Sequence, residues 1–144
     1  MTNAPGFRPT IHTQAELETL WRSAVSPPAD NEHRLWLMRI DADRRAVPRI
    51  IEIPGSVDPP QPDDELTAGL VTLLGCLVED EPGSSVAALR SRPGRGVRSE
   101  DREWAHALHA AAVEAGVPLE VVHLLTDAGV TPLPLDEIGL RTTA

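Results

Sequence analysis

Arg34-Leu35-Trp36-Leu37-Met38-Arg39-Ile40, then Asp41-Ala42-Asp43-Arg44, then Val47-Pro48-Arg49-Ile50-Ile51-Glu52-Ile53, is the stretch that decides the fold. The first run is apolar on both alternating faces, the pattern of a strand covered above and below by helices. The Asp-containing tetrapeptide supplies a turn and the last run a partner strand, so residues 34–53 read as a hairpin. Pro48 has no N–H for a ladder, which places the second strand at a sheet edge or a bulge. Trp36 is expected to be buried between the covering layers.

Toward the N-terminus, Thr13 and Glu16 have capping-box spacing, and Leu17, Leu20, Trp21 and Ala24 follow at helical intervals until Pro27-Pro28. Toward the C-terminus, a Pro-rich connection leads to Asp63-Asp64-Glu65, acids suited to a helix's first turn. Leu66, Leu70, Leu73, Leu74 and Leu77 form that helix's core stripe. Residues 85–89 make another doubly apolar strand, and residues 90–98 a loop. Ser99 is expected to cap a third helix whose inner face carries Trp104, Leu108, Ala111, Ala112 and Ala115. Gly116 suits the left-handed residue that closes it. Residues 119–125 and 130–133 are strands joined by a turn. The order α-β-β-α-β-α-β-β implies a three-layer α-β-α fold with a mixed sheet. Residues 1–10 read as a flexible N-terminal tail, 11–136 as one domain, and 137–144 as a C-terminal tail.

With 144 residues, 41% hydrophobic and 24% charged, the chain suits a single globular domain. With three Trp, one Phe and no Tyr, its core must come from Leu, Val, Ile and Ala. All 13 basic residues are Arg, and the formal net charge is −9, which argues against bulk attraction to nucleic acid or an anionic membrane. No apolar run approaches the ~20 residues of a membrane-spanning helix. No secretory h-region opens the sequence, so a cytoplasmic location is expected. The single Cys76, inside an apolar helical pattern, forms no intrachain disulfide and is expected to be inert packing.

Few residues carry recognisable chemistry. His106 and His109 are placed on the solvent side of the third helix without a third ligand, so neither a metal nor another cofactor is expected. His123, in an apolar strand, reads as a hydrogen-bonded structural histidine. No nucleophile elbow, phosphate loop or dinucleotide fingerprint is present. The acids of Asp63-Asp64 and Glu79-Asp80-Glu81 read as solvated helix ends. The unusual feature is Arg90-Ser91-Arg92-Pro93-Gly94-Arg95-Gly96-Val97-Arg98, four arginines in nine residues before a helix start. Guanidinium groups beside free helix N–H donors can hold an anion. Glu100, Asp101 and Glu103 in the first helical turn oppose a ligand, and a solvated loop is the other reading.

Several segments resemble a JAB/MPN domain, in particular a RadC-like one. Val86-Ala87-Ala88-Leu89 is similar to the strand that leads into that family's His-x-His-Pro, where this chain has Arg90-Ser91-Arg92-Pro93. Ser99-Glu100-Asp101-Arg102 stands where the family has Ser-x-x-Asp. Ala115-Gly116-Val117-Pro118-Leu119 and Val122-His123-Leu124-Leu125 resemble the passage to its next strand. The resemblance spans residues 35–133 and implies the JAB/MPN fold. Active members hold zinc through two His and an Asp, with a Glu polarising the bound water. Here Arg90, Arg92 and Arg102 match the three ligands, and a guanidinium has no acceptor with which to bind a cation. Glu32 lies near the position of the Glu. The resemblance therefore implies a metal-free pseudo-enzyme.

Two functions are expected from these readings. The first is a non-enzymatic interaction or self-association module, working through a protein partner or a homo-oligomer, with no nucleic acid and no membrane. Ala68, Thr72 and Gly75, flanked by Gly69 and Cys76, give the second helix a small-residue outer side that permits close approach. The alternative is a protein, or an enzyme, acting on a small phosphate or carboxylate anion through Arg90, Arg92 and Arg102.

Overall fold

The computed structural model describes residues 9–26, 32–54 and 64–134. Its elements run α1 (Gln14–Ala24), β1 (Arg34–Ile40), β2 (Ala46–Pro54), α2 (Asp64–Val78), β3 (Ser85–Ser91), α3 (Ser99–Ala115), β4 (Val122–Thr126) and β5 (Gly129–Leu133). This is the element order read from the sequence. The strands form one five-stranded sheet in the order β2-β1-β3-β4-β5. β1 pairs antiparallel with both β2 and β3, β3 pairs parallel with β4, and β4 returns antiparallel to β5, so the sheet is mixed. β2, the strand with Pro48, lies at an edge.

Each face of the sheet carries its own core. Leu35 and Leu37 of β1, Val86 and Ala88 of β3 and Val122 and Leu124 of β4 pack under α2 and α3. Met38, Ile40, Ala87, Leu89 and Leu125 point the other way, against Leu17 and Trp21 of α1. The period of two sends alternate residues to opposite faces, and both faces are apolar because both are covered. Trp36 corrects its expectation. It is only half-buried, and its indole N–H donates to Ser91 Oγ at 2.9 Å. The fully buried tryptophan is Trp21.

The helix ends follow local chemistry. Thr13 Oγ1 accepts from the Glu16 N–H, and Glu16 reaches back to the Thr13 N–H, a complete capping box. Gly116 has φ 71°, and its N–H closes α3 on Ala112 and Val113. Ser99 is not the cap of α3. Arg98 takes that place with extended backbone, and Asp101, three residues on, accepts its N–H. β3 runs two residues beyond its expected end, which carries Arg90 and Ser91 out of the loop and into the sheet. Leu119 makes only an isolated bridge to Val86, and β4 begins at Val122. Pro9 and Thr10 are joined to the β1–β2 turn, Pro9 O accepting the Ala46 N–H and Thr10 bridging Arg45. Residues 1–8 and 135–144, which hold most of the expected tails, lie outside the described residues, as do the connection 55–63 and Asp63.

Candidate functional site

The site grows from the carboxyl end of β3. Antiparallel pairing sets Arg34 opposite Ser91 and Leu35 opposite Arg90, so the start of β1 lies beside the end of β3. The turn 93–98 then brings the first turn of α3 over the same place. Ligand sites of α/β folds favour such crevices at the carboxyl ends of strands.

A single carboxylate organises the region. Asp101 is fully buried. Its Oδ1 accepts from Arg90 Nε at 2.9 Å and from Arg92 Nε at 2.8 Å. Its Oδ2 accepts from Arg92 Nη2 at 2.6 Å and from the Arg98 backbone N–H at 2.8 Å. Arg92, also fully buried, donates further to the carbonyls of Pro93 and Gly96. Every nitrogen of its guanidinium has an acceptor. Arg90 stacks over Trp104 at 5.4 Å from the ring centroid. Its Nη2 lies 3.1 Å from His33 Nδ1. A guanidinium can only donate, so Nδ1 accepts and neutral His33 carries its proton on Nε2.

Titration follows from these contacts. Burial alone would raise the Asp101 carboxyl, but donors from Arg92, Arg98 and Arg90 outweigh it and hold it below its ordinary value. Burial, reinforced by the facing Arg90 cation, pushes His33 down. Arg90 is lowered by burial and Arg92 raised by its bonds to Asp101, yet both remain guanidinium cations.

Arg90 and Arg92, two of the three arginines singled out in the sequence, thus come together, and they do so on Asp101. Arg102 stands exposed on α3. Asp101 and His33 escaped sequence reasoning. Asp101 read, with Glu100 and Glu103, as a first-turn acid opposing a ligand, and the expected cap at Ser99 hid that it lies three residues after the actual cap, Arg98. His33 is 57 residues from Arg90, and no local pattern joins them.

The other histidines and Cys76 also bear on the expected chemistry. His123 is fully buried beneath α1, and its Nδ1 donates to the Val121 carbonyl at 3.0 Å, the structural role expected. Its Nε2 has no hydrogen-bond partner and lies 3.5 Å from Glu18 Oε2. His106 is exposed, but His109 is half-buried with Nε2 sealed from solvent and unpartnered, which corrects its solvent-side placement. Cys76 corrects too: it is exposed, not packed. Among the described residues, no three His, Cys, Asp or Glu side chains are grouped to hold a metal ion. No described helix is long and apolar enough to cross a membrane.

The chain matches no protein-family model and no curated protein.

Proposed function

We propose that this chain is a non-enzymatic, metal-free JAB/MPN-like domain that acts by binding a partner protein or a second copy of itself. The observation that carries the reading is the Arg90–Asp101–Arg92 network. Two of the positions that match zinc ligands in the resembled family hold cations, and both cations are engaged by an internal carboxylate. A carboxylate shared by the two cations ties a sheet end together, and the matched positions present donors, not acceptors, where a metal would need ligands. Arg102 at the third matched position points to the same loss of metal chemistry.

The surface for association on this reading is α2. Residues 66–78 contain no charged side chain, and of α2 only Leu70 and Leu74 are fully buried. Ala68, Gly69, Thr72 and Cys76 are exposed. Beside them a mainly apolar groove of about 420 Å³, with Glu65 also in its lining, runs between Ile53 of edge strand β2 and Leu66, Gly69, Leu70 and Leu73. A helix apolar on most sides is ordinarily covered.

Sedimentation velocity over a wide concentration range, with zinc content measured after exhaustive dialysis, tests the proposal. Concentration-dependent association that disappears in Thr72→Arg is expected, with no stoichiometric zinc. A monomer at every concentration removes the self-association version. One tightly held zinc per chain overturns the whole reading.

A further inference from the structure

We propose that His123 is an acid-operated release for α1, with Glu18 setting the pH at which it acts. Alternation along β4 sends Val122 and Leu124 toward α2 and α3, and His123 with Leu125 toward α1. His123 is fully buried there, its ring set against Glu18 of α1. Among the described helices α1 is the one that covers this face, seated by Leu17 and Trp21. The ring's Nε2 is sealed from solvent, so hydrating it requires α1 to lift.

The chemistry of the ring follows from one contact. A carbonyl oxygen can only accept, so the 3.0 Å contact with Val121 keeps a proton on Nδ1 in the neutral ring and in the cation alike. The second proton must therefore go to Nε2, the sealed atom. Taken up there, it makes a buried imidazolium whose counter-charge is Glu18 Oε2 at 3.5 Å, longer than a good charge-assisted bond. Glu18 is itself shared: Gln14 Nε2 donates to the same oxygen at 3.3 Å, and Arg22 Nη2 lies 3.7 Å from the other. The strand neighbours of His123, Leu89 and Pro132, bring no charge. Burial lowers the ring's affinity for a proton, and Glu18 and the Val121 carbonyl restore only part of it. With α1 lifted, water would hydrate the cation and that penalty would vanish. Protons therefore favour the lifted helix, the more so the less Glu18 compensates. Lifting uncovers Met38, Leu89 and Leu125, the apolar layer that α1 closes. The inference is independent of what α2 binds.

Amide hydrogen exchange of the full chain, followed by NMR from about pH 8 to about pH 5 with rates taken relative to their intrinsic values, tests this. As pH falls through the His123 midpoint, the amides of Leu20, Trp21 and Arg22 in α1 should lose protection while those of β3 keep theirs. In His123→Leu that step should be absent. Glu18→Gln removes the counter-charge of the imidazolium and, for the neutral ring, a carboxylate set against its bare Nε2. Its stability in urea should therefore lie at or above the wild type near pH 8 and below it near pH 5, and its ring midpoint should move to lower pH. Loss of protection in α1 and β3 together, or an α1 step that survives in His123→Leu, overturns the release. Parallel stability curves for wild type and Glu18→Gln overturn the role given to Glu18. A wild-type His123 ring that titrates at or above the ordinary histidine value overturns the proposal, whether or not His123→Leu folds.

Discussion

The crevice at the carboxyl end of β3 and the layer beneath α1 handle buried polarity differently. Over the carboxyl end of β3, Asp101 accepts four hydrogen bonds and, with the carbonyls of Pro93 and Gly96, gives every guanidinium nitrogen of Arg92 an acceptor. Under α1, Trp21 Nε1 is buried without a partner among the described residues, and His123 Nε2 has only a long 3.5 Å approach to Glu18 Oε2. In the first region charge is buried and answered. In the second, polar atoms sit in an apolar layer with at most a long contact to answer them. A satisfied buried network fixes one geometry, whereas an unsatisfied atom costs stability and fixes nothing. The α3 end should therefore be the brittle part of the molecule and the α1 layer the part open to improvement.

The largest effect should come from Asp101→Ala. It leaves two guanidinium groups buried without their counter-charge, and breaking such a network from one side costs about 3–5 kcal/mol. The denaturant midpoint should fall sharply or the protein should not fold; a midpoint near wild type would mean that the network contributes little. A smaller loss, about 1 kcal/mol, is expected for Thr13→Ala, which removes the capping side chain of α1. Equilibrium urea unfolding measures both, and a Thr13→Ala cost larger than that of Asp101→Ala would reverse the comparison.

Acid should then act in two stages. His33, His109 and His123 are all held below their ordinary value of 6.5, burial being the first cause for each. Such groups bind fewer protons folded than unfolded, so their contribution is intact above about pH 6.5 and is lost as pH falls through the lowered folded values. Asp101 is also lowered, from 3.8, so its contribution disappears only at more acid pH. Two losses are expected in a pH series of urea midpoints, and His33→Gln should shrink the first while leaving the second. The smallest effect belongs to His123→Leu. It removes an unpartnered atom from the α1 layer together with one backbone hydrogen bond, and stability should change by less than about 1 kcal/mol or rise. A loss as large as that of Asp101→Ala would show that Nε2 is answered after all.

How much of this was legible in the sequence depends on how local the cause is. The hairpin, the capping box at Thr13, the left-handed Gly116 and the edge position of β2 each follow from a few adjacent residues, and all are present. Trp36 was misplaced because alternation marks a covered strand without saying how far the cover reaches, and Trp36 is only half-buried against the α1-side core. Cys76 and His109 were misplaced because helical spacing fixes relative angles, not which arc meets a neighbour. The site was half legible. Four arginines marked the place, but their meaning lay in Asp101, which reads from the sequence as a helix first-turn acid, and in His33, far away along the chain.

Arg44 carries a consequence for how this domain tolerates change in length. The β1–β2 turn is short, and Ala42 and Asp43 are exposed, the setting in which inserted residues are ordinarily accepted. Arg44, however, adopts φ 64°, unusual for a residue with a side chain. From there its Nε donates to the Ile11 carbonyl, and its two Nη atoms grip Glu120, which also accepts from Ser85 Oγ. Ala42 meanwhile packs so closely on Gly83 that a Cβ there would come within 3.0 Å of its own. The turn is thus a rivet through four segments of chain. A tag or loop spliced into residues 42–44 should disrupt the domain as a whole, despite the turn's exposed and hydrophilic look.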